Sequence, residues 1–364
     1  MKIKEITDFL EEIAPLHYQE AYDNSGLIIG NKEDVVHGAL ITLDCTEEVV
    51  EEAISKKCNL IIAHHPIIFG SINKINGNNY IERVIIKAIK NNISIYAIHT
   101  NLDNVIHGVN GKIAEKLGLV NCQILKPKSK LIKKLVVYCP KSHVPSLKDS
   151  LFENGAGEFK KYDNCSFSVL GNGTFRPKKG SNPYLGKENE VESVQEERLE
   201  FFYNVEDEKM LLDCLFKNHP YEQVAYQIYL LDNLSTEIGS GIIGELDEEV
   251  ETGNFLKDVK DKMNTDCIRF TKKVKKTIKK VAVCGGSGSF LLEQAKTKKA
   301  DIFISSDFKY HEFFNAENTI IIADIGHFES EQYTKELIFD LLREKFTKFA
   351  VQLSNVNTNP INYL

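Results

Sequence analysis

Two stretches far apart in this chain follow one plan, and that repetition limits the folds open to it. The first is "GALITLDCTEEVVEEAISKKCNLIIAHHPIIF" (38–69) and the second is "KVAVCGGSGSFLLEQAKTKKADIFISSDFKYHEF" (280–313). Each reads as an apolar strand, a turn, a helix and a second apolar strand that stops on polar residues. A further apolar strand follows each one, "NISIYAIHTNLD" (92–103) and "NTIIIADIGHFESE" (318–331), and both again end on polar groups. Strand–helix–strand units need crossover connections, so they imply parallel sheets covered by helices. The expected fold class is therefore α/β, with two similar strand–helix–strand halves over 1–126 and 246–364. The low identity between the halves is that of a degenerate internal duplication.

Residues 127–245 have a different character. Gly and Pro interrupt their strands, as in "CSFSVLGNGTFRPKKGSNPYLG", and two helices are expected near 143–154 and 206–218. That order suits an inserted α+β domain of ferredoxin-like type. The glycine-rich "EIGSGIIGEL" (237–246) returns the chain to the main body.

Composition narrows the class. A formal net charge of -7 argues against a nucleic-acid-binding surface over the whole protein. The basic "TKKVKKTIKK" (271–280) reads as a solvated approach to a strand. Eight scattered cysteines without a Cys-x-x-Cys pair suggest reduced thiols in the cytoplasm. The N-terminal "MKIKEITDFLEEIAPLH" spaces its apolar residues as an amphipathic helix, not as a signal peptide, and no run approaches a membrane span.

In α/β proteins, sites form at the carboxyl ends of parallel strands. The polar residues expected there are His64 and His65, then His99 and Asp103, then Asp307 and His311, then Asp324, His327 and Glu331. Four strand ends that each bring histidine or carboxylate together are a strong pattern in a chain with ten histidines. Neighbours in a regular strand face opposite ways, so His64 and His65 can share a site only if Pro66 ends the strand there. His327 and Glu331 are four apart and lie on one face if the helix already includes His327. His99 begins a turn and reads either as a ligand or as a group that orients Asp103. Imidazole and carboxylate without thiolate suit Zn, Fe, Mn, Co or Ni. Shared between two ions, such ligands leave room for a bridging water that loses a proton easily and attacks a carbonyl, phosphoryl or amidine centre. The turn "CGGSGSF" (284–290) joins strand to helix, and Gly285, Gly286 and Ser287 are candidates for a phosphate contact through free amides.

Seven ordered motifs, "DNSGLIIG", "LDCTEEVVEEA", "AHHPIIF", "HTNLD", "VCGGSGSF", "SDFKYHE" and "DIGHFESE", resemble the Ngg-interacting-factor-three-like family of dinuclear-metal-centre hexameric proteins. Its members are also called GTP cyclohydrolase 1 type 2 homologues. The insertion resembles the PII-like domain of the family's longer members, with "GAGEFKKYD" departing from the usual motif after "GAG". The resemblance implies that His64, His65, Asp103, His327 and Glu331 hold two divalent ions (Zn, Fe or Mn), with Glu331 close to both. It also implies that Asp307 and His311 line the same pocket, where they would move protons, and that the chain forms a homo-hexamer. The function so implied is metal-dependent hydrolysis of a nucleotide or related heterocycle through a metal-bound water. The alternative is a non-catalytic metal-binding or regulatory hexamer in metal homeostasis.

Overall fold

The structure, a computed structural model, describes residues 1–159 and 161–364. Lys160, within "GAGEFKKYD", lies outside the described residues. The chain divides into two compact units, one of Met1–Pro127 with Thr236–Leu364 and one of Lys128–Ser235.

In the first unit, one sheet contains β1 (Gly26–Ile29), β2 (Ala39–Thr42), β3 (Leu60–Ala63), β4 (Ser94–Ala97) and β15 (Val351–Leu353), in the order β1-β4-β3-β2-β15. The pairs from β4 through β15 are parallel and β1 is antiparallel. A second sheet has the order β11-β14-β13-β12-β10-β5. Its strands are β5 (Val120–Pro127), β10 (Gly239–Glu251), β11 (Arg269–Phe270), β12 (Thr277–Ser287), β13 (Ile302–Ser306) and β14 (Ile321–Asp324). Strands β12, β13 and β14 are parallel neighbours.

The central strands are mostly apolar because both of their faces are buried. Ile41, Leu60, Ile62, Val281, Val283, Ile302 and Ile304 share one core with the helix residues Ile6, Leu10, Ile113, Phe255 and Ile338. The intervening residues of the first sheet, Leu40, Ile61 and Ala63, pack instead with Val49, Val50 and Val84. In the second sheet, Ala282 and Phe303 pack with Leu291, Leu292 and Ala295. The amphipathic N-terminus forms the helix Ile3–Ile13, and the Thr46 hydroxyl caps Glu47–Ser55 by accepting from the Val49 N–H.

The division at 1–126 and 246–364 does not separate the sheets. Strand β15, near the chain's end, pairs with β2 in the first sheet, and β5 from the first half pairs with β10 in the second. Residues 236–245, read as insertion, belong to the first unit because Ile242 and Ile243 pair with both β5 and β12.

The second unit places β6 (Ile132–Pro140), β7 (Ser166–Phe175), β8 (Glu192–Asn204) and β9 (Tyr226–Leu230) in the antiparallel order β7-β8-β6-β9. Helices Val144–Phe152 and Glu208–Asn218 complete a β-α-β-β-α-β chain order. Leu147, Leu151, Leu211 and Leu215 pack onto Leu135, Val137, Leu199 and Phe201.

Candidate metal centre

Strands β2, β3 and β4 of one sheet and β12 and β14 of the other deliver their carboxyl ends to a single pocket of about 770 Å³. Strand β3 stops at Ala63, and the strand alternation breaks there, because the next two amides both turn to the segment that ends β2. His64 donates its backbone N–H to the Thr42 carbonyl at 3.2 Å, and His65 donates to Leu43 at 2.9 Å. Both backbones are therefore fixed, and both rings join one cluster with centroids 4.9 Å apart.

Four imidazoles meet here, and an acceptor engages Nδ1 of each. His64 donates from Nδ1 to the Ile98 carbonyl at 2.8 Å, His65 to Asp44 at 2.8 Å, His99 to Asp23 at 2.7 Å and His327 to Asp307 at 2.6 Å. Carbonyls and carboxylates only accept, so Nδ1 carries the proton in every ring and Nε2 is the atom presented to a cation. The helix His327–Glu331 does begin at His327, and it brings Nε2 within 3.1 Å of Glu331 Oε2. The two Glu331 oxygens divide the work. Oε2 lies 2.9 Å from His65 Nε2, and Oε1 faces His64 Nε2 at 3.9 Å.

Two atoms test whether this group suits a cation. His64 Nε2 and Asp103 Oδ1 are buried 3.6 Å apart, and neither has a hydrogen-bond partner among the described residues. Unpartnered buried polar atoms cost free energy, and a cation between them removes that cost. The donors group as His64, Asp103 and Glu331, and as His65, His327 and Glu331, with Glu331 common to both. A third group joins His99 to His64 and His65.

The electrostatics show protons standing where a cation is suited. Burial opposes charge on His65, but hydrogen bonds to Asp44 and Glu331 hold its pKa up at about 10. His327 is likewise opposed by burial and carried to about 11 by Glu331 and Asp307. Burial raises Asp103 to about 7, helped by the neighbouring Glu331 charge. Burial works against the Glu331 charge, and the surrounding imidazoles nevertheless hold its carboxyl well below the usual range.

The structure brings His64, His65, Asp103, His327, Glu331 and His99 together. The His99 ring is held by Asp23, which also accepts from the Thr100 backbone N–H at 3.0 Å. Asp307 sits behind His327, and His311 is exposed on the turn Tyr310–Ala316 beside Tyr310 and Phe314, outside the pocket lining. The phosphate cradle is not available at two of its three residues. The Gly285 N–H donates to Asn110 Oδ1 and the Gly286 N–H to Ser330 Oγ, each at 2.9 Å. Gly286 serves the carboxylate instead, because with φ +60° a Cβ there would stand 2.3 Å from Glu331 Oε1. Asp324 is structural: it accepts from the Phe308 N–H at 3.0 Å and pairs with Arg269.

Sequence reasoning missed Asp44 and Asp23. Asp44 follows β2 on the same sheet edge as His65, and its position after a parallel strand was the available signal. Asp23 lies before β1, and its partner is brought to it only by the β1–β4 pairing.

A family model described as Duf34/NIF3 (NGG1p interacting factor 3) matches residues 1–360. The chain is 36% identical over 368 residues to a GTP cyclohydrolase 1 type 2 homolog of Staphylococcus epidermidis, covering 100% of both. It is 36% identical over 367 residues to the homolog of Bacillus subtilis, covering 99% of this chain and 98% of that one. A solved Bacillus cereus protein related to NIF3 superposes with a TM-score of 0.80 at 36% identity, over 100% of this chain and 99% of that one. No helix among the described residues is long and apolar enough to cross a membrane.

Proposed function

The chain belongs to the Duf34/NIF3 family, and from that premise we propose that its pocket is a two-ion centre of a metal-dependent hydrolase. The substrate class is a nucleotide or related heterocycle. The observation that carries the reading is the buried, unpartnered pair His64 Nε2 and Asp103 Oδ1, with Glu331 reaching from it to His65 and His327. His64, Asp103 and Glu331 would hold one divalent ion, and His65, His327 and Glu331 the other. Ions so held supply Lewis acidity and make water acidic near neutral pH. The chain's own part is to fix the donors. Asp44, Asp307 and the Ile98 carbonyl set the tautomers, and the Gly286 backbone makes room for Glu331. Asp307 is committed to His327 and His311 stands outside the lining, so this reading assigns proton transfer to neither.

A second reading is a non-catalytic metal-binding or regulatory role in metal homeostasis. It is favoured by the absence of Lys and Arg among the described lining residues, which leaves a phosphate without a cationic reader. Under either reading the β-α-β-β-α-β insert is taken as a PII-like unit and the chain as a cytoplasmic homo-hexamer, which sedimentation analysis tests.

The test of function is a nucleotide and phosphoester panel run with metal-loaded wild type and Glu331→Ala, with bound metal quantified in both. Turnover and metal lost together support the hydrolase. Two ions bound without turnover support the second reading, and metal content unchanged in Glu331→Ala removes the proposed centre.

A further inference from the structure

The pocket that holds the candidate ions also has walls, and their chemistry is selective. Its carboxylates are Glu20, Asp44, Asp103 and Glu331, and none of its described lining residues is Lys or Arg. Lys126 comes near, with Nζ 5.6 Å from the Phe290 ring centroid, but it is not a lining residue. Asp23 and Asp307 stand directly behind His99 and His327. Even with two divalent ions bound, these six carboxylates outnumber the four added positive charges, because metal-bound histidines are neutral. Two of the three backbone amides that could have received an anion are also spent, Gly285 on Asn110 and Gly286 on Ser330.

What the mouth offers instead is aromatic surface. Phe69, Tyr80 and Phe290 line the pocket and are 54%, 57% and 56% exposed, and Tyr22 beside them is 69% exposed. The Phe69 ring meets the His99 ring edge-on at 5.6 Å, so an aromatic face stands next to the imidazole cluster. Large aromatic faces left in water at the mouth of a polar pocket suit a planar ring that stacks on them. A carboxylate-rich lining accepts hydrogen bonds and disfavours added negative charge.

We propose that this pocket takes a planar nitrogen heterocycle, uncharged or cationic and presenting N–H donors, and rejects the same ring when it carries a polyphosphate. The proposal rests on the hydrolase reading and narrows its substrate class to the nucleobase or nucleoside level.

Matched probes separate ring from phosphate. The metal-loaded full-length protein is titrated calorimetrically with guanosine, GTP, adenosine and ATP, and protein-bound metal is measured before and after to detect chelation. The expected result is nucleoside binding at least about tenfold tighter than the matching triphosphate. Phe69→Ala is expected to weaken the nucleoside about tenfold, the scale of one lost stacking contact. Phe69→Lys, which removes the ring and installs a cation, is expected to invert the ranking. Triphosphate binding as tight as nucleoside binding, or no nucleoside binding, overturns the proposal. Bound metal is read separately, so a protein without metal counts against the metal centre, and the ranking remains measurable on the metal-free chain.

Discussion

Asp44 is the residue on which His65 depends. It accepts from His65 Nδ1 at 2.8 Å and is itself held by the Thr358 hydroxyl at 2.7 Å, so its removal frees the ring to rotate away from Glu331. Asp44→Ala is expected to weaken metal binding about 10- to 100-fold, the usual effect of losing a carboxylate behind a ligating histidine. Equilibrium dialysis against a zinc buffer reads this directly, and an unchanged affinity would show that Asp44 does not position the ring. Protonation gives a second expectation. His65 and His327 have folded values of about 10 and 11 against an ordinary 6.5, and Asp103 about 7 against 3.8. All three bind protons more tightly when folded, so stability falls as pH rises through the interval between the two values. For the histidines it is fully present below about 6.5 and lost by about 10 to 11. For Asp103 the loss runs from about 4 to about 7. Glu331, held low, acts oppositely and weakens the fold only below its ordinary 4.5. The metal-free chain should therefore melt at lower temperature at pH 9 than at pH 6. Added zinc, which needs deprotonated ligands, should raise the melting temperature more at pH 8 than at pH 6. A metal-free melting temperature that is flat or rising from pH 6 to 9 would contradict these shifts.

At the scale of elements, the glycine-rich carboxyl end of β12 sets where Glu331 can sit. Gly286 has φ +60°, and a Cβ there would also come within 3.3 Å of His327 Cε1. Gly286→Ala is expected to cost about 1–2 kcal/mol from the left-handed backbone alone and to lower bound metal as Glu331 is displaced. Gly70→Ala, whose Cβ meets nothing within 4 Å, should leave both quantities unchanged. Equal metal content in the two variants would mean that this end of β12 does not shape the site. This stretch, read from sequence as a turn but carried by β12 through Ser287, also shows where sequence reading reaches its limit. "CGGSGSF" signals a tight strand–helix turn, and glycine is compatible both with cradling an anion and with admitting a side chain. Only the positions of Asn110 and Ser330, remote in sequence, show that the amides are taken. The buried parallel strands were legible because burial on both faces makes them continuous apolar runs, as at "NLIIA" and "DIFIS". Strand β15 was not, because Val351–Leu353 is short and only half-buried, and its place beside β2 is set by long-range pairing. The candidate ligands lie at strand ends, where the chemistry is local. The groups behind them, Asp44 and Asp23, are partners through space and left no periodic trace.

On the scale of the whole chain, function and insertion separate along the sequence. Every residue lining the candidate metal pocket comes from 1–127 or 236–364, the first compact unit. Within that unit Pro127 pairs with Gly239 and Lys126 with Ser240, so the two ends left by the insert are already neighbours in a β ladder. Within the second unit the Ser235 N–H donates to the Lys128 carbonyl at 2.8 Å, which brings its own ends together. An insertion with adjacent ends can be removed at the entropic cost of one short loop. Replacing 128–235 by a short Gly/Ser linker is therefore expected to give a folded protein with cooperative unfolding and the same metal stoichiometry as the full chain. The excised 128–235 segment, with Leu147, Leu211 and Phe201 in its own core, should fold separately and bind no comparable metal. Circular dichroism melting and metal analysis of the two pieces decide the matter. A core that folds but loses its metal would mean that the insert contributes to the centre. A core that fails to fold while the full chain is stable would mean that the two units depend on each other for their stability. Retention of both fold and metal would leave the insert free for a role apart from holding ions, and comparing the ligand ranking of core and full chain would then show whether that role includes access to the pocket.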